Sequence, residues 1–315
     1  MAGFATNATD HLIRSNLWST NLKEVLEDDL MAMTYVDMIT DFPDGNTINI
    51  PSIGQAEIRD YAEGQEVVYT SMDTGNFTFS IDQYKSSATY ITNKMKQDSF
   101  YTDRLVASFV PAQQRAILAA MEQKILATAP EAQTASDLNT INSAPHRFVA
   151  TGTNDVITVN DFAKARYSLK KANVPDVGLV AIVDPSVEYT LNTLTNLTSV
   201  SNNPRWEGIV ADGIATGMKF VKNVYGFDVY VSNYLKSGIS ETVNSNSVTN
   251  GVANLFFSAA PGVSPFVGLL RQPPVVESEY NKDMQRDEYV TTARYGFGFY
   301  RPENMVVVIS DSSQV

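Results

Sequence analysis

Apolar residues recur along this chain at two different spacings, and the spacing changes from one segment to the next. Across residues 17–33 they recur at helical spacing, as at Leu22 and Leu26, while acidic residues such as Glu27 lie on the other side. This pattern predicts an amphipathic helix on a leading arm. The apolar side of such a helix needs a second surface to cover it.

A turn signal at Asp41–Gly45 marks the change to alternating apolar and polar residues, the pattern of β-strands. The first strand carries Ile48 and Ile50, and the returning strand carries Phe77 and Phe79 on one face. We predict a long β-hairpin with roughly a dozen residues per strand, about 40 Å long at ~3.3 Å per residue. Because an isolated two-stranded ribbon is marginally stable in water, we expect it to lie on a partner surface.

Residues 97–128 are predicted to form the longest helix, because Ile117, Met121 and Ile125 recur at i, i+4. Pro111 either begins this helix at its first position or interrupts a longer one. A kink or a restart at Pro111 is the favoured interpretation.

From about residue 150 the pattern changes to short α/β units. A helical stripe spans 162–172, a buried strand spans 177–183, a helix begins at Asp184–Pro185, and another strand spans 227–231. Residues 237–254 are rich in Ser, Asn and Gly and predict a surface loop. The tail predicts three more strands, at 274–280, 288–295 and 305–309.

Composition narrows the range of functions. The net charge of -12 argues against a protein that grips nucleic acid, because neutralising phosphates requires clustered Lys and Arg. The chain contains no cysteine, so disulfides and thiolate metal sites are excluded. Residues 1–10 lack the basic start and apolar core of a signal peptide. Thr242–Leu270 is uncharged but interrupted by Asn, Gly and Pro, so we expect a soluble protein without a membrane helix.

Candidate chemistry is sparse, and we expect no catalytic, cofactor or metal site. His11 and His146 are far apart in polar segments and are predicted to lie on the surface. Ser168–Lys171 matches a Ser-x-x-Lys pattern but lies on the predicted exposed side of a helix without companion motifs. Gly296–Phe299 is similar to an RNA-recognition strand, yet its flanking residues do not fit, and a packed strand end is favoured.

Acidic residues cluster near the start of the tail. We interpret them as a solvated or interface-paired charge run, because Lys282 and Arg286 interleave with them and their spacing fits no calcium loop. The group consists of Glu277, Glu279, Asp283, Asp287 and Glu288.

The order of these elements resembles that of the tailed-phage major capsid proteins of the Hong Kong 97 fold. Four strings are similar to that family as well, and the resemblance covers nearly the whole chain. They are Thr47–Pro51 before the hairpin, Phe79–Lys85 after it, Ile182–Pro185 at the start of a helix, and Tyr295–Glu303 before the last strand. The specificity of the resemblance lies in the order of elements.

The resemblance implies an α+β fold in four parts. An N-terminal arm would span 1–44, and an extended β-hairpin loop would span 45–84. A peripheral domain with a long spine helix would comprise 85–150 and 270–315. An axial α/β domain would span 151–269.

The resemblance also implies a function and a set of partners. The chain would be a major capsid protein and not an enzyme. It would be assembled in the host cytoplasm into hexamers and pentamers of an icosahedral virion shell that encloses double-stranded DNA without sequence-specific binding. The implied partners are sister copies, a separate scaffolding protein, a portal protein and an optional decoration or cement protein. The scaffolding protein is expected to be separate because the arm is too short to contain a scaffolding region. Neither a membrane nor a cofactor is implied.

Contacts between subunits are expected on the apolar side of the arm helix and along the hairpin. The predicted contact residues are Leu22, Leu26, Ile58, Arg59, Asp60, Tyr61, Glu63, Gln65, Val67, Phe77 and Phe79. Some members of the family join subunits through a Lys–Asn isopeptide bond that uses a lysine of the extended loop. Residues 45–84 contain no lysine, so we expect a non-covalent shell.

Two alternatives stay open. The same fold could form an encapsulin-like bacterial nanocompartment that holds enzymes, although the long arm and long loop favour a viral shell. A soluble α/β hydrolase or binding domain is the alternative from a different class. It would need a nucleophile and a base in one arrangement, and the sequence offers none.

Overall fold

The computed structural model of the 315-residue chain describes residues 30–39, 45–53, 60, 63–64, 66, 74–98, 102–133, 139–193, 223–243 and 245–311. The helices are α1 (Asn93–Asp98), α2 (Thr102–Ala132), α3 (Val159–Lys171) and α4 (Pro185–Thr193). The strands are β1 (Val36–Ile39), β2 (Thr47–Ile53), β3 (Thr74–Ser80), β4 (Gln83–Thr92), β5 (Thr140–Ile141), β6 (Ala144–Pro145), β7 (Arg147–Val149), β8 (Leu179–Val183), β9 (Asn223–Val224), β10 (Phe227–Val231), β11 (Ile239–Val243), β12 (Asn246–Ser258), β13 (Phe266–Asn281), β14 (Arg286–Phe299) and β15 (Val306–Asp311).

The larger sheet is buried on both faces. In the described part of the chain its order is β7-β15-β12-β8-β10-β9, and β11 pairs with the first half of β12. Its central strands read as unbroken apolar runs because alternate residues enter different cores. In β8, for example, Val180 and Ile182 belong to one core, whereas Ala181 and Val183 belong to the other.

Helices α3 and α4 cover one face of the larger sheet. Phe162 of α3, Phe227 and Phe256 form an edge-to-face aromatic cluster there, with ring centroids 5.0 to 6.4 Å apart. Asp184 accepts a hydrogen bond from the backbone N–H of Ser186 at 3.0 Å, so the predicted cap of α4 is confirmed.

The four-stranded sheet has the order β1-β13-β14-β4 in the described residues, and α2 packs on one of its faces. Met121 and Ile125 of α2 are fully buried in a core that also contains Tyr295 of β14 and Leu255 of β12. The long helix therefore joins the two sheets through shared apolar packing. We refer to these sheets and helices together as the body.

Pro111 lies inside α2, so the predicted restart at this residue is wrong. An internal proline removes a backbone hydrogen bond and costs about 3 kcal/mol. Burial of one apolar face over three turns, through residues such as Met121, Ile125 and Leu126, offsets that cost.

The surface loop predicted at 237–254 is also wrong, because this segment contains β11 and the first half of β12. The Ser and Asn residues that suggested a loop mark the turn between the two strands, where Ser245 has a φ of 68°. Val243, Val248 and Val252 are buried beside this turn. These β-branched residues among the polar ones were the available strand signal.

The described contacts cross two of the predicted domain boundaries. Strands β7 and β15 pair with each other, and β15 pairs with β12, so the larger sheet combines segments from both predicted domains. Residues 36–39 fall in the predicted arm, yet they form β1 and pair in parallel with β13. The described end of the predicted arm helix, Ala32–Tyr35, is a 3-10 turn.

One buried ion pair ties β7 to β11. Arg147 Nε and Nη2 donate to the two carboxylate oxygens of Glu241 at 2.8 and 3.0 Å, and their side chains are 3% and 12% exposed. Arg147 Nη1 also donates to the carbonyl oxygen of Pro130 at the end of α2. The guanidinium thus connects β7, β11 and α2.

We predict that Glu241→Gln lowers the free energy of unfolding by about 3 kcal/mol, because it leaves a buried guanidinium without its counter-charge. Urea denaturation of the soluble subunit measures the loss. Glu131→Gln is the matched control, since Glu131 is 46% exposed and pairs with Lys236 at the surface. It is expected to cost less than about 1 kcal/mol. Equal losses in both variants would contradict the prediction.

Candidate functional site

The root of the hairpin stands on the face of the four-stranded sheet that is opposite α2. Strands β2 and β3 pair in antiparallel register, with Ile48 opposite Phe79 and Ile50 opposite Phe77. Their apolar face packs on Val267 and Leu269 of β13. The alternation of apolar and polar residues thus gives the hairpin one apolar face, and the body covers this face at the root.

Two polar contacts close the root of the hairpin. Ile81 donates its backbone N–H to the carbonyl oxygen of Asn46 at 2.9 Å. The Asn46 side chain accepts a hydrogen bond from Arg294 of β14 at 3.2 Å. The root is therefore hydrogen-bonded within itself and to the sheet below it.

Four of the predicted contact residues lie in the described part of the chain. Phe79 is only 9% exposed and Phe77 is half-buried, and both pack on the chain's own body. At the root the covering surface is therefore the same subunit and not a neighbour. Asp60 and Glu63 are exposed. The remaining predicted contact residues lie outside the described residues: Leu22, Leu26, Ile58, Arg59, Tyr61, Gln65 and Val67.

The end of the arm is held by a buried carboxylate that the sequence analysis missed. Glu122 of α2 is fully buried and accepts the backbone N–H groups of Met31 and Ala32 at 2.8 to 3.1 Å. A glutamate among the apolar positions of α2 was the available signal, because a buried carboxylate requires hydrogen-bond donors. Glu122 fixes the point at which residues 30–32 meet the body.

An exposed aromatic face lies beside the hairpin root, on β4 and the neighbouring strands of the four-stranded sheet. Tyr84 is 67% exposed, Tyr90 is 57% exposed and Val275 of β13 is 46% exposed. Arg286 lies over the ring of Tyr90, 4.5 Å from its centroid. Strand β4 is at the end of the sheet, so its outer edge has no partner strand among the described residues. Alternation of Tyr84 and Tyr90 with polar residues over 83–92 was the missed signal.

The acidic run is paired in part within the chain. Glu288 accepts a hydrogen bond from Arg286 at 2.6 Å, and Asp287 forms an ion pair with Lys96 of α1. Hydrogen bonds from Arg286 and Asn281 lower the pKa of Glu288. Across the described ranges, no three Asp, Glu or His side chains are grouped closely enough to hold a metal ion.

The two other sequence candidates have structural roles. Ser168 is buried and donates to the carbonyl oxygen of Pro145 at 2.7 Å, so its predicted exposure is wrong. His146 is also fully buried, and its predicted surface position is wrong. The ring is enclosed beside the paired strands β7 and β15. Burial lowers the pKa of His146, partly opposed by contacts with the backbone of Ala144 and Glu303.

No described helix is long and apolar enough to cross a membrane.

One protein family matches most of this sequence. A family model described as "Phage capsid protein" matches residues 76–308. No protein with a curated description matches the sequence significantly.

Among solved structures, the fold is similar to a chain from Mycobacterium phage Che8, with 19% identity, a TM-score of 0.67, and coverage of 94% of this chain and 97% of that chain. It is similar to the capsid of cyanophage P-SCSP1u, with 14% identity, a TM-score of 0.72, and coverage of 98% and 96%. A third match is the mature capsid of bacteriophage PhiM1, with 12% identity, a TM-score of 0.68, and coverage of 99% of both chains. At these identities the likeness concerns the fold.

The buried imidazole leads to a prediction about pH. Because the folded pKa of His146 is below 6.5, the unfolded state binds the extra proton first, and stability is lost as pH falls below about 6.5. The loss is about 1.4 kcal/mol for each unit between the two pKa values. Urea denaturation between about pH 7.5 and about pH 5 should show a smaller loss in His146→Gln than in the wild-type protein. Equal losses would refute this role for His146.

We further predict that Glu122→Gln loosens the end of the arm, because an amide offers one acceptor oxygen where the carboxylate uses two. Hydrogen bonds to a charged group contribute about 1.5–3 kcal/mol, so amide exchange at Met31 and Ala32 should accelerate by about tenfold or more. Hydrogen exchange with mass spectrometry measures this, and Glu131→Gln on the same helix is the control. Unchanged exchange in Glu122→Gln would show that the carboxylate does not hold the arm.

Proposed function

This chain belongs to the phage capsid protein family and has the fold of the tailed-phage major capsid proteins, and on that basis we propose that its copies assemble into the hexamers and pentamers of an icosahedral shell. The shell encloses the double-stranded DNA genome of a tailed phage. The observation that carries this proposal is the match of a capsid-family model to most of the chain. The hairpin standing on a folded body supports it, because such a limb offers surface to a neighbouring copy.

Attraction between copies comes from surfaces that one subunit leaves exposed. The exposed aromatic face offers Tyr84 and Tyr90, and tyrosine is enriched at the centres of protein interfaces. Burying such a face contributes about 25 cal/mol per Å² of apolar area, repeated at every contact in the shell. The predicted hairpin residues beyond the root, Asp60 and Glu63 among them, are proposed to contact a neighbour's surface.

Charge controls which contacts form. Each copy carries a formal charge of -12, so neighbouring copies repel unless opposite charges meet locally. Because repulsion is screened beyond about 8–10 Å at physiological salt, local complementarity decides. The same acidic excess suits a wall that encloses DNA without binding its phosphates tightly.

The shell is proposed to be held together without covalent links between subunits. Residues 45–84 contain no lysine, and their only basic residue is Arg59. The first lysine after the hairpin is Lys85, which lies on β4 in the sheet and not on the hairpin. A lysine-dependent link from the hairpin to a neighbour therefore has no donor.

The four-part division is retained as a proposal with one structural qualification. The working scheme remains an N-terminal arm, a hairpin limb, a peripheral part around α2 and the four-stranded sheet, and an axial part around the larger sheet. Strands β7 and β15 belong to the larger sheet and therefore move with the axial part in this scheme. Scaffolding, portal and decoration partners remain predictions.

Expression of the chain together with its genomic neighbours tests the proposal. We expect closed particles of megadalton mass in negative-stain micrographs and nuclease-protected DNA in particles from infected cells. Boiled in SDS, the capsid chain from these particles should run as a 34.6-kDa band with no ladder of its multimers, because no covalent link joins the copies. A discrete monomer under every condition would refute the proposal. Particles filled with an enzyme instead of DNA would support a nanocompartment.

A further inference from the structure

The face of β14 on which the hairpin stands has a local gap in its side chains. Successive residues on this face are Arg294, Gly296 and Gly298, and Tyr300 follows just beyond the strand. Two glycines thus lie between two large side chains. We call Gly296 and Gly298, flanked by Arg294 and Tyr300, the glycine notch.

The hairpin root occupies the glycine notch at distances that no side chain would allow. A Cβ atom on Gly296 would lie 2.6 Å from the carbonyl oxygen of Ser80 and 2.9 Å from the Cα atom of Ile81. A Cβ atom on Gly298 would lie 3.1 Å from ring atoms of both Phe77 and Phe79. The backbone of β14 and the end of β3 are therefore in direct contact.

The flanking residues hold the root from both sides. Arg294 donates a hydrogen bond to Asn46 at the start of the hairpin. Tyr300 packs edge-to-face on Phe77, with ring centroids 5.4 Å apart. Sideways displacement of the root would break one of these contacts.

The notch also accounts for the Gly296–Phe299 string. Phe297 points away from the hairpin and is 6% exposed in the core beneath α2, so it offers no ring to a nucleic-acid base. Glycine inside a strand weakens the strand and often marks a close approach of another backbone. Here that approaching backbone is the hairpin root.

We propose that Gly296 and Gly298 are positioning residues that set the direction in which the hairpin leaves the body. The root is held between Arg294 and Tyr300, so a displacement there changes the direction in which β2 and β3 leave the sheet. Resting on the proposed function, a second consequence follows: this direction determines how neighbouring copies meet, and hence the diameter of the shell.

The direction of the hairpin can be measured in the soluble subunit by double electron–electron resonance. The chain has no cysteine, so Glu63→Cys, between β2 and β3, and Lys171→Cys on α3 place two spin labels at exposed positions without background labelling. In this labelled protein, G298A forces the rings of Phe77 and Phe79 to move by a few tenths of an ångström. We expect the mean label distance to shift from its wild-type value by more than repeat measurements of the wild-type protein vary.

G268A is the matched control in the same sheet. Its Cβ atom would meet side-chain atoms of Val36 and Met38 at 2.7 and 2.8 Å, on the face opposite the hairpin. The mean label distance should stay at its wild-type value, within the variation of repeat measurements. If G298A also stays there, or if both variants shift alike, the proposal is overturned.

Phe77→Leu provides a second variant, because it removes the outer ring atoms of Phe77 that a methyl group at position 298 would meet and leaves only the contact with Phe79. In G298A/F77L the label distance should return towards that of F77L alone. This comparison also applies if G298A by itself yields no soluble protein. A distance that stays displaced, or a double variant that is insoluble while F77L is soluble, would overturn the proposal.

Particle formation separates this inference from the proposed function. When the variants are co-expressed with the genomic neighbours, G298A should give about tenfold fewer shells of wild-type diameter than G268A. A tenfold loss corresponds to about 1.4 kcal/mol less contact energy between neighbouring copies. If the wild-type chain forms no particles, the proposed function fails, while the label distances still decide the role of the notch. If G298A and the wild type form the same particles, the inference about shell diameter fails and the proposed function stands.

Discussion

A two-stranded ribbon cannot bury an apolar face against itself, and this constraint governs how the chain is arranged. Strands β2 and β3 place Ile48, Ile50, Phe77 and Phe79 on one side, and the body must provide a floor for them. Because β13 supplies apolar side chains and β14 supplies glycines, the ribbon lies directly on the sheet. The root of the hairpin is therefore seated on the sheet in one defined position.

The body provides that base because its two sheets share one helix. Apolar residues of α2 lie in the same core as residues of both sheets, so neither sheet shifts without disturbing the helix. Polar groups reinforce the junctions: Glu122 binds the end of the arm, and Arg147 links β7 and β11 to the end of α2. Interiors packed in this way deform little, which suits a subunit that must repeat one geometry many times.

The sequence predicted the elements with strong periodicity, including the hairpin, the strand at 227–231 and the capped helix after Asp184. It failed at 237–254, where Ser and Asn mark a turn within paired strands, and in the restart considered at Pro111, where the helix continues through the proline. It also misplaced His146, since burial of a polar side chain depends on pairing between distant strands. The glycine notch was visible only as an unexplained string, because close approach of two backbones leaves no periodic signal.

The open outer edge of β4 has a consequence for the subunit before it is incorporated. The N–H and C=O groups on this edge have no partner strand among the described residues, so they could recruit another strand and begin an uncontrolled fibrous polymer. Lys85 and the run of short hydroxyl side chains at Ser86, Ser87 and Thr89 oppose this, because charge and polarity make flat stacking of edges unfavourable. The composition of this one strand therefore disfavours edge-to-edge aggregation of the free subunit.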